Sequence, residues 1–267
     1  DFCTITKFFN GKYKPKPIKD VIDEIKELNS KYVFIVDDNI TANKERAKEL
    51  FRNLIPLKIK WISQASMDIT LDEEFMDLMK KSGCVGLLIG FESLSIDNLK
   101  QMNKNVNQKI PIKDAINKIH QKNIVLYGAF VLGYDFDTLE TLQQTLDFTK
   151  DMKLFMVAYN HLIPFPATPL YDRLKKDNRL IYEKWWLDEN YNFYDVAFKP
   201  KNLTAEELSK GCITMRKKFY GYSSILKRLF TLRHWQSIFF LTTYLSINLL
   251  LRKEINHKHG IPLGVER

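Results

Sequence analysis

The sequence predicts an α/β fold built on parallel strands, followed by an all-helical appendage. Three observations carry that expectation. Between residues 18 and 179, short apolar runs rich in Val, Ile and Phe alternate with amphipathic stretches of helical period. The order is consistently helix then strand, the pattern of strands joined by crossover helices. Beyond about residue 204 the strands stop and helical patterns continue. The 267 residues, 45% of them hydrophobic, suffice for one α/β barrel-sized domain and a smaller piece. Ten Gly and nine Pro, without repeats or biased tracts, exclude collagen-like, solenoid and disordered classes.

The elements follow in order. Residues 18–29 carry apolar side chains at Ile18, Val21, Ile22, Ile25 and Leu28, one face of a helix, and the run 31–36 reads as a buried strand ended by Asp37, Asp38 and Asn39. The cycle repeats as helix 43–54 and strand 59–64, then helix 72–81 and strand 85–91. It continues as helix 110–121 and strand 124–132, then helix 139–152 and strand 157–163. Helices at 205–220 and 234–251 form the appendage. The apolar stretch 237–251 has fifteen residues, short of the roughly 20 that span a bilayer, and reads as a buried helix.

Five such strands suit either an open doubly wound sheet or a partial barrel, and a sixth strand before Cys3 would complete a (β/α)6 arrangement. In both folds ligands sit at the C-terminal strand ends, where polar residues recur here. The candidates are Asp37, Asp38 and Asn39; Gln64, Ser66 and Asp68; Glu92 and Ser93; Gly133, Asp135 and Asp137; and Asn160 and His161.

Three widely separated cysteines, Cys3, Cys84 and Cys212, argue against a disulfide framework and for a reducing, cytoplasmic compartment. The start, Asp1-Phe2-Cys3-Thr4, lacks an initiator Met, a basic segment and an apolar segment, and so reads as neither a natural start nor a signal peptide. The net charge of +9 is uneven: between Arg216 and Lys258 nine Lys or Arg face one acid, Glu254. Nucleic acid, acidic lipid and simple solubility are all compatible with that excess.

Asp1-Phe2-Cys3 matches the last three positions of the Cys-x-x-x-Cys-x-aromatic-Cys loop of radical S-adenosylmethionine enzymes. Val36-Asp37-Asp38-Asn39-Ile40 resembles the second-strand segment of the cobalamin-associated branch, which contacts the methionine amino group. Trp61-Ile62-Ser63-Gln64-Ala65-Ser66 resembles the third strand, Ile89-Gly90-Phe91-Glu92-Ser93 the fourth, and Gly128 to Gly133 the fifth, whose exposed backbone lies against adenine. Pro164-Phe165-Pro166-Ala167-Thr168-Pro169-Leu170-Tyr171 is similar to the family's Pro-x-Pro-Gly-Thr-Pro-x-Tyr, with Ala167 in place of Gly. The matches run from Asp1 to Tyr171.

The resemblance implies a partial (β/α)6 TIM-like barrel lacking its first strand, over residues 1–180, with a mainly helical region at 181–267. It implies that Cys3 ligates a 4Fe-4S cluster whose open iron binds S-adenosylmethionine, and that Phe2, Asp37, Asp38, Asn39, Gln64, Ser66, Glu92, Ser93 and Gly133 contact the cofactors. Two departures qualify it: the other two cluster cysteines are absent, and so is an Asp-x-His-x-x-Gly cobalamin motif. The chain therefore reads as an N-terminally truncated piece whose parent carries an upstream cobalamin domain and transfers a methyl group. The parent would draw its electron from a donor such as flavodoxin or ferredoxin and act on a small-molecule or lipid-like substrate.

Each residue also has a plainer reading. Asn39 or Asn43 would cap a helix, as would Ser93 or Ser95. Cys84 and Cys212 read as packed thiols and His161 as a structural histidine or a substrate contact. Trp185, Trp186, Tyr182, Tyr191 and Phe193 read as core or lid, because Glu183, Asp188 and Glu189 among them oppose nucleic acid. Two other functions suit the same sequence. One is a divalent-metal hydrolase or lyase using Asp37, Asp38 and Glu92. The other is a peripheral membrane module using the C-terminal helix with Arg228, Arg233, Arg252 and Lys253.

Overall fold

The computed structural model describes residues 1–230, 237–255 and 260–263. A short helix α1 (Thr4–Phe8) leads through a loop to α2 (Ile18–Leu28) and β1 (Tyr32–Ile35). Then come α3 (Lys44–Leu54), β2 (Lys60–Ala65), α4 (Glu73–Lys81), β3 (Cys84–Glu92), α5 (Ile96–Gln101), α6 (Ile112–Gln121) and β4 (Val125–Leu132). The remainder is α7 (Leu139–Asp151), β5 (Met156–His161), α8 (Pro169–Lys176), α9 (Ala205–Phe219), α10 (Tyr222–Leu229) and α11 (Ile238–Glu254). All five expected strands are present, and three of the helices before them start at side-chain caps, Asn43 for α3, Asp72 for α4 and a Thr138–Thr141 capping box for α7, while α2 and α6 follow Pro17 and Pro111. Four helices without an expected counterpart, α1, α5, α8 and α10, have at most eight residues, too few turns for a periodic signal. Arg233 and the expected helix start at His234 lie outside the described residues.

The sheet is parallel with strand order β1-β2-β3-β4-β5. A strictly sequential order has no reversal point, so it excludes the doubly wound alternative and puts the crossover helices on one face. Burial alternates accordingly. In β4, Leu126, Gly128, Phe130 and Leu132 are buried beneath the helices, while Val125, Tyr127, Ala129 and Val131 are only half-buried. The register continues that second row laterally from Ile62 to Gly86, and from Leu88 to Tyr127 and Met156. It forms the concave face of a partial barrel.

Both edges of the sheet are informative. At β5, helix α9 supplies hydrogen-bond partners for the free backbone groups: the Tyr220 hydroxyl, just past its last turn, receives the Val157 N–H at 3.0 Å and donates to the Val157 carbonyl at 2.8 Å. One turn earlier, the Arg216 guanidinium donates to the Tyr159 carbonyl at 2.6 and 3.0 Å. Four helical residues advance about 6 Å and two strand residues about 6.6 Å, so an i, i+4 pair on a helix matches alternate residues of a strand edge. At the other edge, β1 borders a groove of about 410 Å³ whose walls include Val21, Ile25, Val33, Ile35 and Leu50.

The appendage closes the N-terminal strand ends. Arg228 of α10, 1% exposed, donates to the carbonyls of Leu154, Phe155 and Phe219 and to Asn248 Oδ1 of α11. No acid neutralises it in these contacts; carbonyls satisfy its donors, and burial holds its pKa below the usual value. Tyr244 packs edge-on against Phe155 with centroids 5.2 Å apart, and Phe239 stacks on Tyr32 at 4.1 Å. Helix α11 thus reaches from the start of β5 to the start of β1. The expected buried helix is only partly buried: Tyr244 and Asn248 face inward, while Leu250 is 60% exposed.

Candidate active site

The N-terminal segment lies across the C-terminal strand ends. The Asp1 carboxylate accepts from the Tyr134 hydroxyl at 2.8 Å and from the Arg173 guanidinium at 2.9 Å. Its ammonium donates to the Met102 carbonyl, and its carbonyl accepts from the Leu170 N–H. Phe2 packs edge-on against Tyr134 at 6.3 Å, with the Lys104 ammonium 5.8 Å from its ring centroid. Cys3 is extended, precedes the first residue of α1 without capping it through its side chain, and is exposed. Loops following β3, β4 and β5 therefore converge on the residues just before this thiol.

Glu92 is the best-defined acid of the mouth. It sits at φ +65, where the β3–β4 register shifts between Gly90 and Glu92. That bulge turns the carboxylate back over Gly90: a Cβ at residue 90 would lie 2.3 Å from Glu92 Oε1. The Gly-x-Glu spacing thus has a steric cause, since only glycine leaves room for the acid. Lys104 binds Glu92 Oε1 at 3.0 Å, and the Asn107 amide donates to the carbonyls of Gly90 and Phe91 at 2.9 and 2.8 Å. Lys104 therefore links Phe2 to Glu92, and Asn107 holds the bulge. Neither was a candidate from sequence, although the polar run 103–108 just after β3 and α5 was the available signal.

The remaining candidates divide. Asp37 and Asp38 are exposed at the end of β1, and Gln64 is half-buried in the concave row beside Leu88. Asn39 does not cap α3; its Oδ1 accepts from the Thr41 N–H and hydroxyl in a local turn, and Asn43 is the cap. The Ser66 hydroxyl donates to Asp68 and lies 3.4 Å from that of Thr41. Ser93, 4% exposed, accepts from the Ser95 N–H and the Asn98 amide, while Ser95 caps α5, so both serines serve local structure.

Gly133 departs from expectation. It is buried, and at φ +107 a Cβ would meet Leu208 Cδ2 at 2.4 Å; the glycine accommodates α9 and does not expose backbone to a ligand. Asp137 accepts from the N–H groups of Gly133 and Tyr134 and from the Asn98 amide, and its burial raises its pKa despite those donors. Burial would also raise the Asp135 pKa, but hydrogen bonds from Lys201, Arg179 and Gln101 hold it below the ordinary value. Both acids organise the loop after β4.

On β5 only Asn160 is exposed, and its Oδ1 accepts from the Arg216 guanidinium of α9 at 3.1 Å. His161 lies two residues from Tyr159 on the helix-covered face and is 6% exposed, with no hydrogen-bond partner to either ring nitrogen among the described residues. Burial, helped by the Arg216 charge, lowers its pKa to about 4. It is a neutral core residue, with the Asp195 backbone the one group that opposes the lowering. Burial raises both remaining thiols, Cys212 to about 12, as packed cysteines require. Trp185 and Tyr191 form a small core, with the Trp185 indole donating to the Pro164 carbonyl. Ala167 occupies φ +63, so the glycine-type turn persists with alanine in it.

Among the described residues, no three of His, Cys, Asp and Glu converge on a point that could hold a metal ion. Asp37, Asp38 and Glu92 therefore do not make a divalent-metal centre. The same finding bears on an iron-sulfur cluster: the chain presents one exposed thiol at the mouth, and the rest of a three-thiolate set is not in its sequence. Its residues fit one corner of such a group.

Comparison with known proteins accounts for this arrangement. The family model described as the Radical SAM superfamily matches residues 1–149, and a domain of unknown function, DUF4070, matches residues 168–238. The bacteriochlorophyllide d C-12(1)-methyltransferase of Chlorobaculum tepidum is 31% identical over 85% of this chain and 50% of its own length. The anaerobic magnesium-protoporphyrin IX monomethyl ester cyclase of Cereibacter sphaeroides is 28% identical over 82% of this chain and 36% of its own. The chain thus spans half or less of these curated relatives. Among solved structures, the radical S-adenosylmethionine methyltransferase TsrM of Kitasatospora setae, with cobalamin and a [4Fe-4S] cluster bound, superposes with a TM-score of 0.55. That match is at 18% identity and covers 62% of this chain and 32% of TsrM, so it shows a shared fold. With the matched model spanning more than half its length and its one exposed cysteine at the mouth of a sequentially ordered parallel sheet, the chain belongs to the radical SAM superfamily.

Proposed function

We propose that this chain is the catalytic core of a radical S-adenosylmethionine enzyme, over residues 1–180, with a helical region at 181–267 that covers the sheet edge and the barrel base. When bound, the cluster would supply one electron for reductive cleavage of S-adenosylmethionine and so the 5′-deoxyadenosyl radical chemistry of the family. The observation that carries this reading is the Phe2–Lys104–Glu92 link, which ties the segment bearing Cys3 to the strand-end acid. Cys3 ligates one iron. Asp37 and Asp38 would hold the cationic amino group of the cofactor, Glu92 another part of it, Gln64 and Asn39 its polar atoms, and Phe2 would flank the cluster. Ser66 and Ser93 orient the loops that carry these groups. The relatives named as methyltransferases favour methyl transfer, with cobalamin supplied by a domain upstream of this stretch.

A parallel strand upstream would occupy the groove beside β1, as the polar backbone of an open edge requires. Cysteines that form no disulfide suit a reducing compartment, and a flavodoxin or ferredoxin would provide the electron. The decisive experiment restores the upstream sequence, reconstitutes iron and sulfide without oxygen, and measures 5′-deoxyadenosine for wild type and Cys3→Ala. Product that disappears in the variant supports the proposal; a restored protein that takes up no iron refutes it.

A further inference from the structure

Helices α10 and α11 carry a surface that the chemistry at the mouth does not use. Tyr222 and Leu226 of α10 and Phe230 just past its end recur every four residues and are 63, 53 and 73% exposed. On α11, Ile238, Leu249 and Leu250 are 82, 43 and 60% exposed. The two helices pack together, with the Arg252 guanidinium 4.2 Å from the Tyr222 ring. The inward side of the pair is spent on Tyr244, Asn248 and Arg228, so these apolar side chains project away from the barrel.

The charge around them is mainly positive. Lys227 and Lys253 are exposed on the same helices, whose described residues include Glu254 as their one acid. The connections entering the strands place Lys31, Lys58, Lys60, Lys81 and Lys153, all exposed, at this end of the barrel, against Glu27, Asp147 and Asp151. Apolar side chains amid lysines suit a lipid interface, because the apolar groups insert among acyl chains while the ammonium groups meet anionic headgroups. An acidic protein partner would answer the lysines but would leave Phe230, Ile238 and Leu250 facing water around its rim. No helix among the described residues is long and apolar enough to cross a bilayer, so the contact is with one leaflet.

We propose that the α10–α11 face, at the N-terminal strand ends, docks this protein on an anionic membrane surface. The mouth holding Cys3 and Glu92 lies at the opposite strand ends and stays open to solvent. The inference is independent of the chemistry proposed for the mouth.

The test is co-sedimentation of the whole chain with vesicles of phosphatidylcholine alone and of phosphatidylcholine mixed with phosphatidylglycerol, at low and high salt. Partition into the anionic vesicles is expected to exceed that into neutral ones by about tenfold or more and to collapse at high salt. Leu226→Glu with Leu250→Glu, and separately Lys31→Glu with Lys81→Glu, should each reduce binding about tenfold. All four side chains are exposed or on the rim, so an unchanged circular-dichroism melt accompanies the loss. Equal partition into both vesicle types, no partition, or binding indifferent to both double variants overturns the proposal. So does a concentration-dependent dimer abolished by the leucine variant, which would assign the face to a second copy of the chain.

Discussion

Replacing Gly90 by alanine separates the function of Glu92 from its part in stability. The new Cβ would lie 2.3 Å from Glu92 Oε1 and 3.1 Å from its Cδ, whereas ordinary contacts need about 3.5 Å. The carboxylate must therefore swing away by about 1 Å, breaking its 3.0 Å contact with Lys104. The fold should hardly notice. Lys104 is 37% exposed, so the ion pair contributes at most about 1 kcal/mol, and alanine recovers roughly 0.5 kcal/mol of backbone entropy. A 1 Å displacement of a positioning group, by contrast, costs on the order of 100-fold in rate. With the upstream segment restored, equilibrium dialysis with S-adenosylmethionine and the rate of 5′-deoxyadenosine formation measure the effect, and a thermal melt measures stability. Unaltered cofactor affinity and rate in a fully folded Gly90→Ala would refute the role of Glu92; Glu92→Gln, which keeps the shape, should reproduce the loss.

Ala167→Gly should raise stability by about 0.5–1 kcal/mol, because alanine at φ +63 is strained, and calorimetry should show a melting temperature about 1–4 °C higher. Arg228→Ala strips donors from the carbonyls of Leu154 and Phe219 and from Asn248, which predicts a loss of about 3–5 kcal/mol by urea titration. His161 has a folded pKa of about 4 against 6.5 unfolded, so the unfolded chain binds the extra proton between those values. Its contribution is present above pH 6.5 and is lost as pH falls toward 4, by ~3 kcal/mol in all. In His161→Leu that part of the acid dependence should vanish from denaturation curves at pH 7 and pH 4.5.

The sequence alone determined the alternation of helices and strands, because a strand buried on its helix-covered face and a helix with one apolar stripe each leave a periodic trace. It also marked the mouth, since Asp37, Asp38 and Asn39, then Gln64, Ser66 and Asp68, then Glu92 and Ser93 follow strand after strand. It could not count the short helices, which turn too few times to show a period. Nor could it choose between a doubly wound sheet and a partial barrel, because strand order is a property of pairing. The roles within the mouth were tertiary decisions too. Glu92 and Ser93 are adjacent in sequence, yet a positive φ turns one over Gly90 while the other holds the start of α5. Asn160 and His161 part for a simpler reason: successive side chains of a strand point to opposite faces, and helix α9 covers one of them. Gly133 reads in the sequence as a place for a ligand to approach, but Leu208, 75 residues later, fills that space. Periodicity is local and survives in one dimension; which atoms fill a gap is settled only when distant segments meet.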